Sequence, residues 1–257
     1  MVRNASAKHT ATLRSLYNWR MTKQADLVKY LFNGQENFLS VELFEWMNIS
    51  TRFTTFVDTY RDKIRKKIRV TRESESMLDV RGELQVAYRL LDDRRFTVEY
   101  EPYATTPGRG PDFAVTYRMN LRFNVEVSRM RSDANGVTED TIVRNEERLL
   151  RILLSKLGQM QAGMANVLVI HTRNEITQSI NLEQFMQGIK NRVEGKEPSF
   201  YELSGYANPA AFYKDFLHLS GLVLWSPVAQ LWVNKQARPD LDGTILRRIR
   251  ELAASAT

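Results

Sequence analysis

The chain has 257 residues, a hydrophobic fraction of 43% and a formal net charge of +7 at pH 7. It contains no cysteine, which excludes disulfides, thiolate zinc sites and cysteine nucleophiles, and its three histidines lie far apart without a metal-ligand spacing. No apolar run approaches the ~20 residues of a membrane span, and the N-terminal segment lacks the apolar stretch of a secretory signal, so we expect a cytoplasmic protein.

Residues 1–72 are predicted to form an N-terminal helical region. Apolar residues recur at spacings of three and four over 35–69, and the polar stretch 48–51 indicates a helix break followed by a new cap. Residues 61–72 contain seven basic side chains and one acid, a local balance of +6. This segment is therefore the most basic part of the predicted helical region.

The basic segment has two interpretations. Concentrated positive charge is the expected contact surface for a polyanion such as nucleic acid, but it also fits a solvated helix face. The side chains that we predict to contact phosphates here are Arg61, Lys63, Arg65, Lys66, Lys67 and Arg69. A later helix places three more arginines on one face, namely Arg144, Arg148 and Arg151. These could contact phosphates across a cleft, or could be solvated and partly neutralised by nearby glutamates.

Residues 73–257 are predicted to form an α/β domain that begins with a helix over about 76–91. Glu83 lies at the edge of the apolar stripe of this helix, where an acid needs a partner. The partner could be a group in a functional site, such as a metal ion. It could equally be Arg81 or Arg89 at the helix surface.

Three strands, a long helix and a fourth strand follow. Their predicted bounds are 95–103, 112–118 and 121–130 for the strands, 139–164 for the helix and 166–171 for the fourth strand. The predicted connections are a Pro- and Gly-rich turn at 105–112 and a polar loop at 132–138.

The rest of the chain is predicted to contain helices near 181–193, 208–218 and 240–254 and a hairpin over 221–235. Trp225 and Trp232 flank the hairpin turn. They could stack on bases, but a role in the core or in an interface is the more common use of such residues.

Two acids in the predicted strands indicate a metal site. Asp112 and Glu126 are each seven residues from Met119, so a turn centred there places them nearly opposite each other on adjacent strands. Like charges at such positions destabilise a sheet, and hard oxygen ligands suit Mg²⁺ or Mn²⁺. Asp112 could instead cap the preceding turn. Glu126 could instead pair with a neighbouring arginine, namely Arg118, Arg122 or Arg129.

These residues resemble a known motif. The sequence PD at 111–112, followed by EVS at 126–128, is similar to the PD-(D/E)XK motif of restriction-endonuclease-like nucleases. The predicted order α-β-β-β-α-β over 77–172 is also similar to the core of that superfamily. The resemblance implies such a core with an N-terminal helical appendage and C-terminal helices plus a hairpin, and it implies metal binding by Glu83, Asp112 and Glu126.

The implied function is a metal-dependent phosphodiesterase that hydrolyses nucleic acid, with DNA as the expected substrate. Ser128 occupies the position of the family's lysine and brings no positive charge. Its replacement could be Arg129 or Arg131 from the strand end, Lys156 or Gln159 from the following helix, or the metal ions themselves. The alternative is a catalytically inactive module of the same fold that binds nucleic acid or a protein partner. A homodimer is compatible with both.

Overall fold

The computed structural model describes residues 23–71, 73–103, 110–131 and 139–255. The chain divides into two compact units, Met1–Leu84 and Gln85–Thr257. Within the described ranges, no helix is both long enough and apolar enough to cross a bilayer. The sequence predictions that fall on 1–22, 72, 104–109 and 132–138 lie outside the described residues. The predicted domain boundary after residue 72 stays a prediction.

The first unit is helical. Its elements are residues 23–32 (α1), Phe38–Ile49 (α2), Thr51–Thr59 (α3), Arg61–Val70 (α4) and the N-terminal part of Ser74–Asp92 (α5). Asn37 caps α2 and Ser50 caps α3, each accepting a bond from the backbone N–H three residues later. The predicted break at 48–51 is confirmed, and a second break at Tyr60 divides the stretch that follows it.

Helix α4 is amphipathic, with a narrow apolar side. It buries Ile64 and Ile68, which lie four residues apart and therefore on one face. Seven of its other residues are charged, in the order Arg61, Asp62, Lys63, Arg65, Lys66, Lys67 and Arg69. The helix thus presents basic side chains around most of its circumference.

The second unit follows within α5 and contains a sheet. Its elements in chain order are Phe96–Tyr100 (β1), Phe113–Tyr117 (β2), Leu121–Arg129 (β3), Glu139–Leu157 (α6), Asn166–His171 (β4), Asn174–Ser179 (α7), Leu182–Glu194 (α8), Pro198–Ser204 (α9), Pro209–Phe216 (α10), Leu219–Trp225 (β5), Gln230–Val233 (β6) and Gly243–Ala254 (α11). The described elements form an α/β fold around one six-stranded mixed sheet.

The strands lie in chain order across the sheet, from β1 to β6. Strands β3, β4 and β5 are parallel, while the pairs β1–β2, β2–β3 and β5–β6 are antiparallel. Every residue of β4 and β5 is buried, as expected for parallel strands covered on both faces. Helix α11 packs closely on β5. A Cβ atom added at Gly221 would lie only 2.8 Å from Cδ2 of Leu246.

Most predicted elements are confirmed, and the differences have local causes. Helix α6 ends at Leu157 and not at 164, because Gly158 begins a turn in which two backbone N–H groups bond to carbonyls three residues earlier. The short helices α7 and α9 were not predicted, since segments of six or seven residues show too little periodicity. Trp225 and Trp232 are buried, so the core interpretation of the hairpin tryptophans is confirmed.

Candidate active site

The β2–β3 hairpin positions the two acids of the motif. Phe113 pairs with Val125, and the same antiparallel register extended by one residue places Asp112 opposite Glu126. The cross-strand placement predicted from the symmetry about Met119 is therefore confirmed. Asp112 is the residue that directly precedes β2, so it lies at the beginning of this strand.

Asp112 is held in place by both neighbouring strands. Its Oδ2 atom accepts a hydrogen bond from the backbone N–H of Val127 at 2.8 Å. Its backbone carbonyl accepts a bond from the N–H of Glu101, also at 2.8 Å. The carboxylate thus takes the place of a backbone acceptor where β2 begins. Its predicted alternative role, capping the preceding turn, concerns residues that are mostly outside the described part of the chain.

Glu126 lies in the middle of the sheet and binds a lysine. Along β3 the flanking residues Val125 and Val127 are buried on one face, and Glu126 points to the other. The Nζ atom of Lys156 lies 2.6 Å from Glu126 Oε1, and the glutamate side chain is only 13% exposed. The observed partner is thus a lysine, whereas the predicted alternative was an arginine.

Two of the three arginines that were predicted as alternative partners of Glu126 have other contacts. Arg122 pairs with Glu99 at 2.9 Å on the exposed part of the sheet. The guanidinium of Arg118 lies over the ring of Tyr117. The salt bridge described for Glu126 is the one to Lys156.

The surroundings of Glu126 disfavour its ionised form. Burial and the negative charge of Asp112 raise the pKa of Glu126 to about 7, although the ammonium of Lys156 acts in the opposite direction. One lysine therefore does not fully compensate the two carboxylates. A further positive charge at this position would favour ionised Glu126.

Lys156 belongs to the last turn of α6. Leu149 and Leu153 are buried on the preceding turns, so Lys156 follows at the edge of the apolar stripe. In this position the aliphatic part of its side chain can pack while the ammonium reaches the acid. Among the replacements predicted for the family's lysine, Gln159 donates its side-chain N–H to the carbonyl of Ser155. Ser128 itself is half-buried on β3.

Glu83 belongs to the first unit, on α5. Its carboxylate is 2.5 Å from Lys67 Nζ, and its side chain is 10% exposed. The predicted alternative partner Arg81 pairs instead with Glu42, through two hydrogen bonds of 2.5 and 2.8 Å. The other alternative, Arg89, lies over the ring of Tyr88. The assignment of Glu83 to the metal site stays a prediction.

The predicted phosphate-contacting residues have different surroundings. Lys67 is turned toward Glu83, Arg61 lies 3.3 Å from Asp58, and Arg151 pairs with Glu147 on its own helix. Lys63 lies over the ring of Tyr60. Arg144 is exposed and Arg148 is half-exposed on α6. The remaining side chains, Arg65, Lys66 and Arg69, line a groove described below.

Sequence reasoning overlooked Asn124. It is buried two residues before Glu126, on the same face of β3, and donates to Asn166 and to Gln161. Its Oδ1 atom has no partner among the described residues. The available signal was an amide between two apolar neighbours in the middle of a strand, which requires buried hydrogen-bond partners.

The donor set fits a hard cation. Among the described residues, no group of three or more histidine, cysteine, aspartate or glutamate side chains is arranged to hold a metal ion. Mg²⁺, however, is usually bound through one or two carboxylates, with water and substrate phosphate as its other ligands. Asp112 and Glu126 are such a pair, and burial together with the charge of Asp112 raises the pKa of Glu126, so a bound cation would favour its ionised form.

Comparison with known proteins gives no relative. The chain matches no protein-family model, no curated protein and no solved structure. The resemblance to PD-(D/E)XK nucleases therefore rests on the motif residues and on the order of the elements.

Proposed function

We propose that the protein is a metal-dependent phosphodiesterase acting on nucleic acid, with DNA as the expected substrate, built on a restriction-endonuclease-like core. The observation that supports this most strongly is the contact of Lys156 with Glu126, opposite Asp112. A lysine close to two strand carboxylates is what the motif requires. Here the lysine comes from α6 and not from β3.

Asp112 and Glu126 would hold Mg²⁺ or Mn²⁺ through their carboxylate oxygens. When bound, such a cation supplies Lewis-acid polarisation of the phosphoryl oxygens. Asp112 is already oriented by the N–H of Val127, so its position does not depend on the metal. Glu126 must be ionised to act as a ligand, which couples metal binding to release of its proton.

Lys156 would stabilise negative charge on the reacting phosphate. An ammonium in a partly buried site acts more strongly than one in bulk water, because fewer water dipoles screen its charge. The side chain of Lys156 is 23% exposed, so it can move from Glu126 toward a substrate oxygen without crossing the core. The hydroxyl of Ser128 can donate a further hydrogen bond from β3, two residues after Glu126.

A second candidate function is a catalytically inactive module with the same fold. Ser128 at the lysine position favours it, and so does the ion pair of Lys156, which would then serve only to neutralise Glu126. The two functions differ in whether metal and Lys156 are needed for strand cleavage. Binding to nucleic acid is expected for both.

The deciding experiment is cleavage of supercoiled plasmid in Mg²⁺ or Mn²⁺. The variants are Asp112→Asn and Lys156→Met, with Lys235→Met as a control that removes an exposed lysine of the same unit. The amide oxygen introduced by Asp112→Asn can still accept from the N–H of Val127, so the fold is expected to survive. We expect cleavage by the wild type and the control, and its loss in EDTA and in both variants.

Two outcomes would count against the proposal. Cleavage that persists in Asp112→Asn would come from another site or from a contaminating nuclease. Absence of cleavage in the wild type, with both metals and on both plasmid and linear DNA, would favour the inactive module.

A further inference from the structure

A groove on the first unit combines one positive charge that is held by neighbouring side chains with two exposed positive charges. It has a volume of about 420 Å³ and lies along one face of α4. Its lining residues are Tyr30 of α1 and Asp62, Arg65, Lys66, Arg69 and Val70 of α4. The α4 positions are spaced by one, three and four residues, so they form one continuous face over about two helical turns.

Arg65 is fixed at the wall of this groove. Its Nη2 atom donates to Asn33 Oδ1 at 2.6 Å, and its guanidinium lies 4.2 Å from the centre of the Tyr30 ring. Stacking of a guanidinium on an aromatic ring restricts a side chain that would otherwise have many rotamers. The charge of Arg65 is therefore held in one place.

The single acid of the groove also has a hydrogen-bond partner. Asp62 Oδ1 accepts a hydrogen bond from the hydroxyl of Tyr30 at 2.6 Å. Tyr30 thus contacts Asp62 through its hydroxyl and Arg65 through its ring. The lining has three cations and one acid, so its net charge is +2.

Lys66 and Arg69 provide the exposed positive charge of the groove. Both are exposed, and within the described part of the chain neither has an acid at ion-pair distance. Their positions, three residues apart on one helix face, place their Cβ atoms about 5–6 Å apart. From Arg65 to Arg69 the helix rises by about 6 Å, so the three cations lie along one short stretch of the groove.

We propose that this groove binds the phosphate backbone of nucleic acid, with Arg65, Lys66 and Arg69 each contacting a phosphate oxygen. Since the Tyr30 ring is covered by Arg65, it is not free to stack on a base, and the contact is independent of sequence. Lys67 takes no part, because it is turned to Glu83. The identity of the polyanion rests on the proposed function, whereas the binding groove does not require an active site.

The test measures binding in EDTA, so that cleavage does not interfere. The probe is a fluorescently labelled duplex DNA of about 20 base pairs, and affinity is measured by anisotropy over a series of KCl concentrations. Each lost phosphate contact reduces the slope of log K against log [KCl] by about 0.9 for duplex DNA. We expect a reduction of about 1.8 for the double variant Lys66→Ala/Arg69→Ala.

Lys29→Ala is the control, because it removes an exposed charge of the same unit outside the groove lining, at a position that is not predicted to contact phosphates. Its slope should change much less than that of Lys66→Ala. Equal slopes for the wild type and the double variant would overturn the proposal. So would groove-dependent binding to anionic lipid vesicles without binding to DNA.

The outcome is independent of catalysis. A protein that binds DNA through the groove but never cleaves it would refute the proposed hydrolase and leave the groove assignment intact. A protein that cleaves DNA with an unchanged salt slope in the double variant would do the reverse.

Discussion

Each unit of the molecule has a partly buried lysine–glutamate pair, and the distance between the two charged groups is nearly the same in both. Lys67 lies 2.5 Å from Glu83 in the first unit, and Lys156 lies 2.6 Å from Glu126 in the second. The two pairs differ in their neighbours, since Glu126 lies opposite Asp112. Around Glu126, one ammonium and two ionised carboxylates leave a net negative charge. The carboxylate of Asp112, which faces Glu126, is therefore the feature on which the candidate site depends.

The largest expected difference is in catalysis. Lys156→Met should reduce the initial rate of plasmid cleavage by roughly 10²–10³-fold, the usual effect of removing one group that stabilises transition-state charge. Lys67→Met should leave the rate per folded molecule within about twofold, because we assign Lys67 no role in the reaction. Equal losses per folded molecule in the two variants would contradict a specific role of Lys156 in the reaction.

The second difference concerns the effect of pH on stability. The pKa of Glu126 is about 7 in the folded protein, above the ordinary value of 4.5, so the folded state binds this proton more tightly than the unfolded state does. The contribution of Glu126 to stability is therefore fully present below about pH 4.5 and is lost as the pH rises to about 7.

Glu126→Gln removes this dependence. Between about pH 4.5 and pH 8 the free energy of unfolding of the variant should rise relative to the wild type by on the order of 3 kcal/mol. Urea denaturation at several pH values measures it. Two curves that stay parallel over this range would show that Glu126 has the same affinity for protons in both states.

Removing the lysine of the first pair should lower stability. Lys67→Met leaves the buried carboxylate of Glu83 without this ammonium, and such a loss costs several kcal/mol when the pair is fully buried. Because Lys67 is 27% exposed, we expect about 2–3 kcal/mol in urea denaturation. The double variant Lys67→Met/Glu83→Gln should recover most of this loss. If it is no more stable than the single variant, the packing of the lysine stem is responsible.

The smallest effect is expected at an exposed pair on the sheet of the second unit. Arg122 and Glu99 are 43% and 47% exposed, so water screens their interaction. Arg122→Ala should change the free energy of unfolding by less than about 1 kcal/mol, and about 0.5 M NaCl should reduce the change further. A loss as large as that of Lys67→Met would contradict the dependence on burial on which these predictions rest.

Much of the fold could be predicted from apolar spacing. The observed bounds of β4 match the predicted ones because all six of its residues are buried, and the register of β2 and β3 followed from the position of their turn. The end of α6 was not predicted, because the spacing of apolar residues continues beyond Gly158 although the backbone turns there. Local periodicity indicates which residues are buried, but it does not indicate where a helix ends.

The sequence predicted the two acids of the candidate site, but it left open which side chain provides the positive charge. Asp112 and Glu126 are linked by local hairpin geometry, which a sequence can reveal. Lys156 is thirty residues from Glu126, and its contact depends on how α6 packs on the sheet. From the sequence, four side chains could replace the family's lysine. Only the packing of a helix on the sheet could show which of them reaches the acids.

The turn at residues 118–120 determines whether the candidate site exists at all. Arg118 and Met119 have positive φ values, and the side chain of Met119 is 95% exposed, so its chemistry is of little importance to the fold. The length of the turn is important, because a register shift by one residue moves every side chain of a strand to the opposite face. A relative with one additional residue here could retain both acids and yet separate them. Residue 119 can therefore vary among side chains that tolerate a positive φ, whereas an insertion or deletion in the turn would remove the site without altering any residue in it.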